Sequence, residues 1–217
     1  MIQGIFRSNF IIFGVPVTQS LYGKDAGGIA ALLIGIVIPM YNFLSVFALE
    51  IFRKKDGNQK TSLMKILKGI ITNPLILGSL SGLLFLGLNI KIPQTIDGVI
   101  QDIAAIATPM ALMILGASFV FSKVKNSLKQ LILSLCGKLI FLPLIFMPIS
   151  IFLGFRNEEL VTLLTLFASP TAVSAFTMAQ QMDGDSELAG QQVVLGSVCS
   201  MFTIFFWILI LKQLSLI

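Results

Sequence analysis

The chain has 217 residues, of which 56% are hydrophobic and only 12% charged, and its mean hydropathy is +0.95. A soluble domain carries about 25% charged residues, so this composition excludes an ordinary soluble enzyme or binding module and places the chain in a bilayer. Histidine is absent, which rules out a histidine-based metal site or a Ser–His dyad, and the net charge of +5 fits membrane topology and anionic lipid, with nothing that points to nucleic acid.

Seven apolar segments approach the roughly 20 residues needed to cross a bilayer. The opening MIQGIFRSNF lacks a basic region ahead of an apolar core and a small-residue cleavage site, so no signal peptide is expected. The first span, about 6–21, is short and carries Asn9, Gly14, Pro16 and Gln19, a Gly/Pro-interrupted pattern that reads as a broken helix. After a turn at 22–25, residues 26–52 form a full span with Pro39, Asn42 and Glu50. The one strongly hydrophilic connection, 53–68, holds Arg53, Lys54, Lys55, Lys60, Lys65 and Lys68. Span 63–90 has Asn73-Pro74 after an amphipathic start, and span 95–122 has Asp97, Asp102 and Pro109. Lys123, Lys125 and Lys129 mark the next loop, and span 128–155 contains Lys138, Pro143 and Pro148.

Segment 162–182 is interrupted by Ser169-Pro170-Thr171. A proline there removes a backbone donor and clashes with the preceding turn, so a second break is expected. Unwound backbone at membrane depth is tolerated where it is buried or lines a cavity, as in transporter substrate sites; the alternative is a proline kink in a packed span. An acidic turn with Asp183, Asp185 and Glu187 leads to the last span, 188–211. Cys136 and Cys199 lie in apolar runs without a second thiol at metal or redox spacing and read as packing residues.

Basic residues near span ends favour the cytoplasm. Loops 53–68 and 123–129 are separated by two spans and can be cytoplasmic together, which puts the C-terminus outside. Sliding the chain by 161 positions superposes Ser8 on Ser169, Gln19 on Gln180, Gly23 on Gly184, Gly35 on Gly196, Val37 on Val198 and Met40 on Met201. Both interrupted segments, both turns and both following spans coincide. The two units are an odd number of spans apart and therefore run in opposite directions, the inverted repeat of secondary transporters.

Ser8-Asn9 through Gly14-Val15-Pro16 to Tyr22-Gly23, Asn73-Pro74-Leu75-Ile76, Pro109 to Gly116-Ala117-Ser118, Lys138-Leu139 with Pro143, and Ala168-Ser169-Pro170-Thr171-Ala172 stand in this order along the chain. Together they resemble the auxin efflux carrier family, which includes bacterial malate and malonate permeases. The resemblance implies an all-α integral membrane protein with seven of the ten helices of a 5+5 inverted-repeat fold and two broken helices crossing near mid-membrane. Residues 1–52 would close the first repeat, 53–62 would be a cytoplasmic basic loop, and 63–217 would be the complete second repeat. By this resemblance the crossover asparagine is Asn9, and the crossover prolines are Pro16 and Pro170. Plant members carry an acid in the seventh span near Ala105; Asp102 lies almost a turn earlier, and proton coupling is left open.

The function implied is a secondary carrier moving a small organic anion, such as a mono- or dicarboxylate, across the cell membrane by alternating access. A sodium-coupled symporter of similar fold or a passive anion channel are the alternatives, and no enzymatic activity is expected. Half-helix N-termini at mid-membrane suit a carboxylate. Asn9, Pro16, Gln19, Ser169, Pro170, Thr171 and Ser174 are the candidate substrate-binding residues, although serine, threonine and asparagine also join membrane helices. Lys138, about ten residues into its span, would either neutralise the cargo or brace carbonyls freed at the crossover, and Asp102 is a further candidate charge partner. No cofactor or metal is expected. The expected partners are the anion and membrane lipid, with a homodimer left open. The repeat offset would start the first unit about 97 residues before Met1, so three upstream spans are expected to be missing from this chain.

The orientation is directly testable. A cysteine placed at Asn58 should react with a membrane-impermeant reagent only from the cytoplasmic face, and one at Asn157 only from outside; labelling of both from one face contradicts the span count.

Overall fold

The computed structural model describes residues 1–52 and 71–217. The basic loop 53–68 and the start of span 63–90 lie outside the described residues. Every regular element described is helical, the arrangement by which an apolar segment satisfies its own backbone donors and acceptors away from water.

In chain order the elements are α1 (Ile2–Phe6), α2 (Phe10–Tyr22), α3 (Gly28–Ile51), α4 (Pro74–Gly87) and α5 (Gln94–Ser118), then a 3₁₀ turn (Phe121–Ser127). They are followed by α6 (Leu128–Cys136), a π-helical turn (Gly137–Phe141), α7 (Leu142–Phe152), α8 (Asn157–Ala168), α9 (Ser174–Gln181) and α10 (Ser186–Gln213). Among the described residues four helical runs are long and apolar enough to cross a membrane: α3, α5, the run Phe121–Phe152 and α10. The expected spans 6–21 and 162–182 are instead two pairs of half-helices, α1–α2 and α8–α9.

The second break falls where it was expected. The first falls at Arg7–Asn9, beside the expected Asn9, but not at Pro16, through which α2 runs unbroken. Pro16 removes only one donor from a helix whose other bonds remain, and it sits on the exposed side of α2.

Prolines shape the long run Phe121–Phe152 as well. Pro143 has no N–H for the carbonyl of Leu139, four residues earlier, and the helix widens into a π turn just ahead of it, with Leu142 N–H bonded to Gly137 O. The freed Leu139 carbonyl instead accepts from Trp207 Nε1 at 3.3 Å, which ties the π turn to α10.

Packing places the half-helices between longer neighbours. Met147 of α7, Leu160, Leu164 and Ala168 of α8, and Ile204 and Leu211 of α10 form one buried cluster. Val46 of α3, Ile76 of α4 and Met178 and Met182 of the α9 end form another, and Leu115 of α5 joins Val173, Phe176 and Val193 in a third. Glycine allows close approach where α10 meets the breaks: a Cβ on Gly196 would lie 3.3 Å from Leu135 and 3.6 Å from Pro170, and one on Gly4 would collide with the Gln192 side chain. Of the acidic turn, Asp185 serves as N-cap of α10, accepting from Leu188 N–H at 2.9 Å. Glu187 pairs with Lys123 at 3.0 Å.

Candidate binding site at the helix crossing

A broken helix leaves carbonyls on one side of the break and amides on the other without their usual partners, and at membrane depth each needs a substitute. The two breaks supply one another. Asn9 N–H donates to the Pro170 carbonyl at 2.7 Å, and the Thr171 hydroxyl donates to the Gly4 carbonyl at 2.6 Å. In a continuous helix Gly4 O would have accepted from the amide of Ser8, and Ser8 lies in the break. Leu166 O would have accepted from residue 170, which as proline has no N–H. Lys138 Nζ, on the π turn and 1% exposed, approaches that carbonyl at 3.5 Å. Of the two roles open to Lys138, the geometry supports bracing: among the described residues its ammonium has this carbonyl as its hydrogen-bond acceptor.

Between the breaks lies a cavity of about 380 Å³, walled by Arg7, Ser8 and Asn9 on one side, by Ala172, Val173 and Ser174 on the other, and by parts of α3 and α5. Its charged group is Arg7, only 5% exposed. The guanidinium donates through Nη1 to Ser45 Oγ at 2.9 Å and Met178 Sδ at 2.9 Å, and through Nη2 to Asn42 Oδ1 at 2.8 Å and Ser174 Oγ at 2.8 Å. All four acceptors are neutral, so among the described residues Arg7 is a buried cation whose hydrogen-bond partners are dipoles.

The candidates named from sequence divide into three groups. Asn9 and Ser174 line the cavity. Pro170 and Thr171 are buried and brace the crossing through the bonds above, while Ser169 is buried beside them with its hydroxyl unpartnered. Pro16, Gln19 and Asp102 are exposed and lie outside the cavity wall; Gln19 Nε2 donates to the Lys24 carbonyl at 3.1 Å. Ser8 is on the cavity wall and its Oγ is likewise buried without a partner, so the two buried unpartnered serine hydroxyls among the described residues are those that the 161-residue offset superposes.

Arg7 is not among the candidates named from sequence. The signal is present there: six mostly apolar residues precede it, and it immediately precedes Ser8-Asn9, the counterpart of Ser169-Pro170 under the offset. Asn42 bonds Ser79 Oγ at 3.0 Å and also holds Arg7.

A family model described as membrane transport protein, the domain of the auxin efflux carriers, matches residues 4–208. The chain belongs to the auxin efflux carrier family. It is therefore a multi-pass membrane protein of a transport family, which is not a family of enzymes. A search of curated proteins returns no match. The family match covers both helix breaks, the cavity between them and Lys138.

The bracing geometry predicts an energetic coupling between two residues. Lys138→Met should lower the stability of the purified protein by about 1–3 kcal/mol, the cost of a buried carbonyl left unpaired. In a Pro170→Ala background, where residue 170 regains its N–H, the same change should cost less than half as much. Equal costs in thermal or denaturant unfolding of the four proteins would mean that Lys138 does not stand in for the missing amide.

Proposed function

We propose that the protein is a secondary carrier that moves a small organic anion, a mono- or dicarboxylate, across the cell membrane by alternating access, with the cargo bound in the cavity at the crossing. The observation that carries this reading is Arg7: a buried guanidinium with neutral partners on the wall of a cavity between two broken helices. Asn9, Ser8 and Ser174 add neutral hydrogen-bonding groups around the same space. Pro170 and Thr171 hold the backbone that shapes it, and Lys138 braces α8 from behind. Pro16 and Gln19 have no place in this site.

The inverted-repeat arrangement is part of the proposal. Residues 1–52 close one repeat, loop 53–62 is cytoplasmic, and 63–217 form the second repeat. Its support is a register coincidence: Asn9 and Pro170, 161 positions apart and equivalent under the repeat offset, are also the residues whose backbones bond at the crossing. A pseudo-two-fold axis through that contact accounts for both facts. Alternating access then takes the form of one bundle rocking about a crossing held by a few hydrogen bonds.

Uptake of radiolabelled carboxylates into vesicles containing the protein tests this. Transport should saturate with cargo concentration, and Pro170→Ala should abolish it without removing the protein from the membrane. Asn9→Ala should raise the apparent KM about tenfold or more, the scale of one hydrogen bond to a charged group. Wild-type uptake by the Pro170→Ala protein would contradict the assignment of the site to the crossing.

A further inference from the structure

We infer that the crossing cavity selects a cargo of single negative charge, a monocarboxylate with a compact apolar body, over a dicarboxylate. The inference rests on the anion-carrier reading and narrows it by counting charges. Among the described residues the cavity wall contains one cation, Arg7, and no acid. Lys138, the other buried cation described, is not on the wall, and its ammonium is directed at the Leu166 carbonyl at the end of α8. One guanidinium charge balances one carboxylate.

A second carboxylate on the cargo would leave water without meeting a positive charge, the arrangement that buried ion energetics penalises most heavily. The remaining wall offers it little. It is largely aliphatic, with Ile11, Ile12, Ile38 and Val173, and its polar members such as Thr108 and Gln181 are neutral. A volume of about 380 Å³ at interior packing density holds on the order of ten to fifteen non-hydrogen atoms.

Two features fit a carboxylate at Arg7. The Nη2 bond to Ser174 Oγ lies on the cavity wall, so a cargo oxygen can take that hydroxyl's place without disturbing the deeper bonds to Asn42 and Ser45. Ser8 lies on the same wall, and its buried Oγ has no partner among the described residues, so a small rotation of the side chain would let it donate to the second oxygen. Cargo charge is thereby read by the first broken helix, and cargo shape by the aliphatic wall.

The test uses three acids built on a six-carbon chain, with the full-length chain in detergent or vesicles: singly charged hexanoate, doubly charged adipate and the singly charged monomethyl ester of adipate. Binding is read by ligand-induced thermal stabilisation, and transport by competition against labelled hexanoate. The two singly charged acids should bind comparably, and adipate at least about thirtyfold more weakly, although the ester is the bulkiest of the three. Gln181→Lys, which adds a second cation to the wall, should narrow the hexanoate-to-adipate ratio at least about tenfold, and Arg7→Gln should abolish hexanoate stabilisation. Adipate binding as tightly as its monoester in the unmodified protein would overturn the single-charge inference and leave the carrier intact. An unchanged ratio in a folded Gln181→Lys protein would also overturn it, because discrimination would not then follow from the cation count. If no carboxylate binds or moves at all, the anion-carrier reading itself falls.

Discussion

The structure depends on how the backbone groups freed at two helix breaks are satisfied away from water. Each break exposes carbonyls that an intact helix would have paired, and leaving one unpaired in a dry site costs on the order of 1–3 kcal/mol. The repairs run across the crossing: Asn9 N–H to Pro170 O, the Thr171 hydroxyl to Gly4 O, and Lys138 to Leu166 O. Neither broken helix is complete by itself. Gly4, Gly196 and the clusters around Met178 and Ala168 can then be understood as what brings the two close enough for these bonds to form.

The same constraint separates two buried cations with different work. Lys138 is used up on a backbone carbonyl that a proline has orphaned, much as Trp207 Nε1 is on the carbonyl orphaned by Pro143. Arg7 is held by side-chain dipoles from α3 and α9 and borders open space. Its bonds tie the first break to both elements, through Asn42 and Ser45 on α3 and Ser174 and Met178 on α9. In the proposed carrier, a cargo that displaces Ser174 at Arg7 would loosen the joint to α9 and keep the one to α3.

How much of this was legible in the sequence follows from what each residue does locally. Pro170 announced its break because a missing N–H is a local fact, and Lys138 announced itself because an intramembrane charge is costly wherever it points. Of the two residues named for the first crossing, Asn9 lies in the break and Pro16 does not: a proline is visible in a sequence, whereas the unwound Arg7–Asn9 makes its substitute contacts with residues some 160 positions away. The repeat offset held the correction, since it carries Ser169-Pro170 back to Ser8-Asn9. Arg7 is hard to single out by sequence because its surroundings are assembled from distant elements: among the described residues its hydrogen-bond partners are Asn42 and Ser45 of α3 and Ser174 and Met178 of α9. Gln19 and Asp102 were named for their chemistry, but the faces they occupy are set by helix rotation, and both fall on exposed sides.

The central claim is that the two breaks cross and touch. Intramolecular disulfide formation tests it most directly, in a chain with Cys136 and Cys199 replaced by serine, cysteines at Asn9 and Thr171, and a protease site in loop 53–62. The Asn9 amide bonds the carbonyl preceding Thr171, a contact that brings the two residues within about the Cα separation a disulfide requires. The account predicts that mild oxidation in the membrane keeps the two proteolytic fragments joined until a reductant is added. Fragments that separate fully under oxidising conditions, while both single cysteines remain reactive, would contradict it.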